Sequence, residues 1–580
     1  MNTFEGCGPT GAMLSGYLGR MSVNHVVLEK GSDITTDPRG IAVDGDGVRL
    51  VQELGIYRQI HGEIGSCGQI FKFIGGTQKD LSRDAFLEMD YSTTEGGTGH
   101  VGIISHKQPV LEKHLRGAMA SSGSCQLRSN CTVVEIQQDD DWTYCRYRCL
   151  DGKLRAIRSR FLVGADGKTG FTRKNYLEPL GIRREQAHDA FYDATWVALN
   201  WKITLPTARI HARAGIRSFF PSDFRFLCNP ARPAICTRFG LPSDRLWRFE
   251  FVVLDGEDGD EITSAESTRE VIFPYLTHAG KRHGLSRDVQ YPEDCIRVLR
   301  SRPFRFSARS CNKWSHGRAV LCSDAAHVFP PFGGQGISSG IRDAASLAWR
   351  LALLCRQSTL DPPRHEAVLE NWYLERKQQL EKSLAITIKN GEFVTESSPL
   401  KICLRSCYLF ITNLVPSWRR QLRLGHRTGI GGACLPQVYC KSRAGTEFFT
   451  DDVLLVYLEG PNELASARET VFAIEGYSKG GVHIDDATYL VQDTDWSFDS
   501  ADDHDSTNSV YQLASAEDFA RSPLCDGRPE PQYYDMYYLG KVLGERKYVI
   551  VRPDRFMFAV RSNLEELQRT VVEAAEYLQS

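Results

Sequence analysis

Apolar and polar positions divide this 580-residue chain into three styles. In the first, HVVLEK (25–30) and RFLVGADG (160–167) are short continuous apolar runs, the pattern of strands buried on both faces. GAMLSGYLGRM (11–21), DGVRLVQELGIYRQI (46–60) and QPVLEKHLRGAMA (108–120) have helical spacing, the last with Pro109 suited to a first turn. CTVVEIQQ (131–138) and TYCRYRCL (143–150) alternate as a hairpin does. In the second style, ATWVALNWKI (194–203), RLWRFEFVVL (245–254) and CIRVLRSRPF (295–304) alternate with period two and predict an antiparallel sheet with one exposed face. The first style returns with strand, turn, Pro/Gly loop and long helix over 319–354, then a second long helix over about 363–390. After about 435 a third style begins. TDDVLLVYLEG (450–460), VHIDDATYLVQ (482–492), YVIVRP (548–553) and RFMFAVRS (555–562) read as strands, closed by the helix NLEELQRTVVEAAEYL (563–578).

The expected class is therefore α/β and α+β, in five stretches. Residues 1–178 and 306–395 form two parts of one domain, 179–305 an inserted antiparallel sheet, 396–434 a helical connector and 435–580 a smaller α/β domain. The most apolar stretch, CYLFITNLV (407–415), is too short for a bilayer span, ends at Pro416 and is expected to be a buried or interface helix.

Charge and cysteine content narrow the classes. A net charge of −2 supplies no field for nucleic acid or an anionic membrane, so no nucleic-acid partner is expected. Arg419, Arg420, Arg423 and Arg427 read as a solvated helix face. Seventeen cysteines occur without a CxxC or zinc spacing, which points to reduced thiols, a cytoplasmic setting and no metal site. DGEDGDE (255–261) lacks the terminal bidentate Glu of a calcium loop, and the acidic run at 493–509 lacks its sixth-position Gly.

Three segments carry chemistry. Gly6-x-Gly8-x-x-Gly11 has glycines where a backbone turns sharply, lets a pyrophosphate approach and lets a helix pack. Glu29 stands 18 residues past Gly11 at the end of the next strand, where a carboxylate can accept ribose hydroxyls. Only Met1–Glu5 precede the turn, so the first strand is expected to be nearly absent, with a segment lost at the amino end. GADGKTG (164–170) brings a strand to a tight turn at Asp166-Gly167. GRAVLCSDAAHVFPPFGGQGISSGIRDAASLAWRL (317–351) delivers Asp324 from a buried strand, then a stiff, bare loop, then a long helix from near Gly336. Its amino end can stabilise negative charge on a flat ring. The same stretch contains Gly336-x-Ser338-x-Gly340, the spacing of a hydrolase nucleophile elbow. PPFGGQ cannot form the required strand, and His327 lies on the wrong side of the serine, so the esterase reading fails.

With these segments in order, the chain resembles the single-component FAD-dependent aromatic hydroxylases, in the branch of phenol hydroxylase and 3-(3-hydroxyphenyl)propionate hydroxylase. PRGIAVDGDGVRLVQELGI (38–56), QPVLEKHLR (108–116), the DG pair at 166–167 and the motif at 317–351 carry the likeness over nearly the whole chain. It implies a Rossmann-like FAD domain interleaved with a substrate sheet, and a C-terminal thioredoxin-like domain, structural because it has no CxxC. It implies that Gly6, Gly8, Gly11 and Glu29 hold the ADP half of FAD, and that Arg39 and Gln108 line the flavin and its phosphates. Asp166 would lie by the pyrophosphate, Asp324 on the ribityl chain, and Pro331, Gly336, Ile337 and Ser338 around the ring.

The implied reaction is hydroxylation of a phenolic or polyketide-derived aromatic, as in secondary metabolism. NADPH (or NADH) and O2 are the cosubstrates, and the route runs through a flavin C4a-hydroperoxide. On the substrate sheet, Tyr192 or His188 would take the phenolic proton and Arg213 would hold the phenolate. A homodimer is left open. Ser323 replaces the usual Gly before Asp324, at a cost expected to be tolerable because Ser is small, and Ser338 replaces a frequent Asn. The alternative reading, raised by the short amino end, is a catalytically silent paralogue with a scaffold role.

Overall fold

The computed structural model describes all residues except 38, 68–69, 187–191, 207–218, 280–285, 358–361, 426–433, 443–444, 449–452, 478–486, 497–509 and 580. Two compact units emerge, Met1–Tyr91 with Ile103–His426 and Ser92–Gly102 with Arg427–Ser580.

At the centre of the first unit lies β1 (Asn2–Glu5), paired in parallel on both sides. One neighbour is β2 (His25–Leu28). On its other side stands β4 (Leu162–Gly164), which is followed outward by β5 (Ala319–Leu321). The far edge beyond β2 is β3 (Cys125–Arg128), and a short antiparallel strand, Ser315–His316, closes the side beyond β5. The expectation of a nearly absent first strand is thus corrected. Four residues suffice, because Asn2, Thr3 and Phe4 are fully buried and the register locks Thr3 to Leu162 and to Val26. A polar composition, NTFE, hides a strand whose burial comes from its neighbours.

Helix α1 (Pro9–Arg20) packs a small-residue face, with Gly16 against Leu54 and Gly19 against Ser122. Helix α2 (Gln108–Ser121) precedes β3, and α3 (Gln335–Arg356) follows the loop after Asp324. Helix α4 (Pro362–Thr395) runs on from it.

The second sheet has seven strands in the order Ile296–Ser307, Asp193–Ile203, Leu246–Val252, Ala234–Phe239, Phe224–Cys228, Ile70–Gly75 and Leu87–Asp90. All neighbours are antiparallel except Phe224–Cys228 with Ile70–Gly75. Three of these strands follow the alternation seen in the sequence. The last two come from the first 91 residues, so the sheet domain is not confined to 179–305. One face buries Trp201, Trp247, Phe249 and Phe251 in a core of their own.

The second unit holds a seven-stranded sheet in which Leu454–Leu458 is parallel to Ala487–Val491 and antiparallel to Tyr548–Val551. Helices Leu464–Glu475 and Leu564–Gln579 cover one face through Val471, Ile474 and Leu567, and Leu539 and Leu543 cover the other. Ser92–Gly102 belongs to this unit although it lies within the first 178 residues. Gln437 N donates to Gly97 O at 2.8 Å and the Tyr439 hydroxyl donates to Gly99 O at 2.7 Å.

An ionic brace fixes the amino end of α3. Arg342 Nε donates to Asp46 Oδ2 at 2.6 Å, its Nη2 pairs with Asp44, and Arg49 Nη2 lies 2.8 Å from Asp46 Oδ1. Burial opposes the charge on Asp46, yet Arg49 and Arg342 hold its carboxyl well below the ordinary range. Asp44 also caps the short helix Gly45–Gln52 by accepting from Gly47 N at 2.8 Å. Removing the cation would leave Asp44 without its guanidinium partner and Asp46 with Arg49 alone, in a poorly solvated place. Arg342→Ala is therefore expected to lower the unfolding free energy by about 3 kcal/mol, read by urea denaturation. Arg342→Lys should recover only part of that loss, because an ammonium cannot fork to both acids.

Candidate functional site

A cavity of about 1080 Å³ runs through the first unit, from the turn after β1 to the floor formed by the second sheet. At one end the turn is built from backbone constraints. Gly6 has φ +98°, and a Cβ there would meet Ala165 O at 2.5 Å. A Cβ on Gly11 would lie 2.1 Å from Gly6 O, so this glycine lets the helix close on the turn. Gly8 differs, for nothing lies within 4 Å of where its Cβ would be. Its backbone borders the cavity instead, beside Pro9 and Thr10 at the uncapped amino end of α1. A bare glycine, a proline at the first helical position and a positive dipole end make a cradle for a diphosphate.

Glu29 ties this turn to β2. Its Oε2 accepts from Cys7 N at 2.7 Å and its Oε1 from Gly31 N at 2.8 Å. Arg116 on α2, which also borders the cavity, grips the turn, donating to Cys7 O at 2.9 Å and to Glu112 Oε1 at 2.7 Å. The sequence motif QPVLEKHLR contained this arginine, but only the fold shows that it clamps Cys7.

Beneath the cradle two carboxyl groups face each other. Burial first, then Asp166, pushes Glu5 up to about 9, although the Thr172 hydroxyl donates to its Oε2 at 2.6 Å. Burial also raises Asp166, whose Oδ2 accepts from Thr172 N at 2.9 Å. The pair keeps a proton where two isolated carboxyls would have none.

At the other end Asp324 follows β5. Its side chain is open to the cavity interior yet walled by protein, and burial raises its carboxyl while His327, Arg184 and Lys168 pull it back. Arg184 donates to the Asp324 carbonyl. Ser323 takes φ +58°, the left-handed region. The cost of Ser in place of Gly therefore lies in the sign of φ rather than in side-chain volume. That strained turn is held by Asp343, whose Oδ2 accepts from Ser323 N at 2.9 Å and His327 Nε2 at 2.8 Å, and whose Oδ1 accepts from Arg376 Nε at 2.7 Å. Burial would raise the Asp343 carboxyl, but His327 and Arg376 hold it down to about 2.

Pro331, Gly336 and Ile337 border the cavity, as do Arg39 and Gln108. Gln108 Oε1 accepts from Gly40 N at 2.8 Å. Ser338 does not reach the cavity wall. It is fully buried, and its hydroxyl accepts from Asp44 N at 3.0 Å, which places it on the brace rather than on a nucleophile elbow.

On the floor, Phe71, Phe224, Phe226, Ile235 and Thr237 meet a buried charged pair, Arg248 and Glu250, whose Nη1 and Oε1 lie 3.4 Å apart. Arg248 Nε donates to Asn200 Oδ1 at 2.8 Å and its Nη1 to Arg39 O at 2.7 Å, joining the floor to the Arg39 loop. Burial raises Glu250 and the neighbouring Arg248 and Arg300 oppose the rise. The sequence reading passed over this pair, because RLWRFEFVVL reads as a plain alternating strand. Arg248 and Glu250 take the polar positions of that alternation, opposite Trp247, Phe249 and Phe251, so the strand alone carries no signal that they face a cavity. Tyr192 is placed elsewhere. Its hydroxyl accepts from Trp196 Nε1 at 2.8 Å, its ring stands edge-on to Phe332, and burial pushes its phenol up. His188 and Arg213 lie outside the described residues.

Comparison with known proteins agrees with this geometry. The sequence model of the FAD binding domain family matches residues 6–376. A 3-(3-hydroxy-phenyl)propionate/3-hydroxycinnamic acid hydroxylase of Burkholderia cenocepacia (strain HI2424) is 28% identical over 411 residues, 71% of this chain and 67% of that protein. A Rhodococcus jostii (strain RHA1) protein named "Probable NADH-specific resorcinol 4-hydroxylase" is 26% identical over 481 residues, 80% of each. Among solved structures, aklavinone-11 hydroxylase with FAD and aklavinone superposes with a TM-score of 0.67 at 18% identity, over 99% of this chain and 98% of that one. CabE, an aromatic hydroxylase from angucycline biosynthesis, gives 0.62 at 19%, over 98% and 99%. At such identities the structures establish the fold alone.

Two outcomes follow from the cradle and the turn. Ser323→Gly should raise the unfolding free energy by up to about 1 kcal/mol, since glycine removes the left-handed penalty and returns part of it as chain entropy. Thermal melting of the cofactor-free protein checks this. For Glu5, the folded state binds its proton more tightly than the unfolded state does, so its contribution is complete below pH 4.5 and is lost as pH rises through about 9. The melting temperature should therefore fall across that window, and Glu5→Gln should flatten the slope.

Proposed function

The chain belongs to the FAD binding domain family of flavin-dependent aromatic hydroxylases, and on that footing we propose that it hydroxylates a phenolic, multi-ring or polyketide-derived aromatic with NADPH and O2. One observation carries the proposal. A single cavity joins the diphosphate cradle at Gly8, the Asp324 carboxylate and an aromatic floor with a buried Arg248–Glu250 pair. When bound, FAD supplies hydride acceptance from the nicotinamide and activation of O2 for transfer of one oxygen atom to the ring.

This chain's own residues do the rest. The amino end of α1 and Gly8 hold the pyrophosphate, Glu29 the ribose, and Asp324 accepts from a hydroxyl of the ribityl chain. Pro331 and Gly336 keep side chains away from the flavin ring. Phe71, Phe224 and Phe226 receive the substrate ring and exclude water; Phe71 and Phe224 already stack at 4.6 Å. A phenol attacks best as phenolate. Glu250, not Tyr192, is the proposed base, taking the phenolic proton, while Arg248 stabilises the resulting anion. A carboxyl raised by burial and balanced by two guanidinium groups suits that task. Reading the second unit as thioredoxin-like is supported by the strand order Ala487–Val491, Leu454–Leu458, Tyr548–Val551, Met557–Arg561 with helices on both faces. The silent-paralogue alternative drew on a missing first strand, and β1 is in place.

The FAD-loaded protein should oxidise NADPH faster in the presence of an accepted phenol and place one atom of labelled O2 in the product. The NADH specificity in the name of the Rhodococcus relative makes NADH the donor to compare. Glu250→Gln should slow hydroxylation at neutral pH roughly a hundredfold, with recovery as pH approaches the phenol's own pKa of about 10. A folded chain that binds no FAD, or one whose NADPH oxidation no phenol stimulates, would refute the proposal.

A further inference from the structure

Outside the cavity, the most unusual surface is the helix Pro399–Leu414, which contains most of the stretch 407–415 expected to be a buried or interface helix. It packs inward through Leu409, Thr412 and Arg405, the last over the Phe86 ring. Its outward side is the reverse of a normal surface helix. Leu400, Leu404, Tyr408, Phe410, Ile411 and Leu414 are each 56–69% exposed. With the exposed Cys403 and Cys407 they fill a sector of roughly 160° at 3.6 residues per turn, and no polar side chain interrupts it. A contiguous apolar patch of this kind on a protein surface marks an interaction site.

The chain as a whole is near neutral and supplies no long-range field, but the local charge around this stripe says what covers it. From Pro399 to Leu424 the chain has no Asp or Glu, and it carries Lys401, Arg405, Arg419, Arg420 and Arg423. The next helix, Pro416–Leu424, continues the patch with half-exposed Trp418 and adds exposed Arg419 and Arg423. A second copy docked through the same stripe would bring cations against cations. An anionic bilayer offers acyl chains to the stripe, an interfacial level to Tyr408 and Trp418, and phosphate and carboxylate groups to the arginines. No helix among the described residues is long and apolar enough to cross a membrane, so the contact is one of lying on the surface. We propose that the helix pair Pro399–Leu424 docks the protein onto an anionic lipid surface, with the Leu404–Tyr408–Ile411 stripe inserted at the headgroup boundary.

Co-sedimentation of the full-length chain with vesicles tests this, using phosphatidylcholine alone and phosphatidylcholine with phosphatidylserine. Binding is expected only to the second, and salt should release it. Arg419→Ala with Arg423→Ala should weaken it about thirtyfold. Tyr408→Glu with Ile411→Glu should weaken it on the order of a hundredfold. Both double variants alter outward side chains, so melting and FAD content should match the parent and show that the fold is intact. The proposal is overturned if the parent ignores anionic vesicles. It is equally overturned if the parent is a dimer in sedimentation equilibrium that Tyr408→Glu with Ile411→Glu dissociates, because a second copy would then occupy the stripe.

Discussion

A single buried carboxylate, that of Asp343, sets the geometry on which the site depends. It sits on α3, is fully buried, and receives a backbone N–H, an imidazole and a guanidinium. Through Ser323 N it holds a left-handed turn that a serine would not adopt unaided, and that turn aims Asp324 into the cavity. Arg376 brings α4 into the same contact, so two long helices and one short strand share a fixed point. A buried charge is tolerated only when its partners are complete, and here each oxygen has one or more. The Arg342 brace does similar work from the preceding residue of the same helix. The loop from Pro330 to Gly334 is anchored by Phe332, fully buried and edge-on to Tyr192 and Trp196.

Much of this architecture could be read from residue patterns. The glycine turn, the DG pair and the Asp324 segment each had a local pattern tied to a backbone need, and the structure brings Gly6, Glu29, Asp166 and Asp324 to one cavity. Long strands with clean alternation, such as Asp193–Ile203 and Leu246–Val252, were equally plain. What escaped was set by tertiary context. NTFE is polar, and only pairing on both sides makes it a central strand. Ile70–Gly75 and Leu87–Asp90 join a sheet whose other strands lie more than a hundred residues away, which no local periodicity reports. Ser92–Gly102 belongs with a unit that starts over 300 residues later for the same reason. Glu250 was hidden because alternation shows which face a residue takes, not what waits on that face.

The cavity is also an exercise in balanced charge. At the cradle end, Glu5 and Asp166 bring negative potential beneath a site shaped for a diphosphate, and proton retention limits it. At the floor, Arg248 and Arg300 bring positive potential, and Glu250 limits that. Each excess is countered locally rather than by bulk water, as a poorly solvated interior demands. Arg248 links these halves mechanically, since one guanidinium holds Asn200 on the floor and the carbonyl of Arg39 above it.

The pairing of β4 with β5 has a consequence for biosynthesis. Leu162 must find Ala319, and β1 is sandwiched between β2 and a strand that arrives 157 residues after it. A nascent chain therefore cannot complete its parallel sheet until more than half of its length has left the ribosome. Until then the apolar edge of β4 stands open. Such a chain folds late and as a whole, and severing it between 178 and 179 would release no self-sufficient nucleotide-binding fragment.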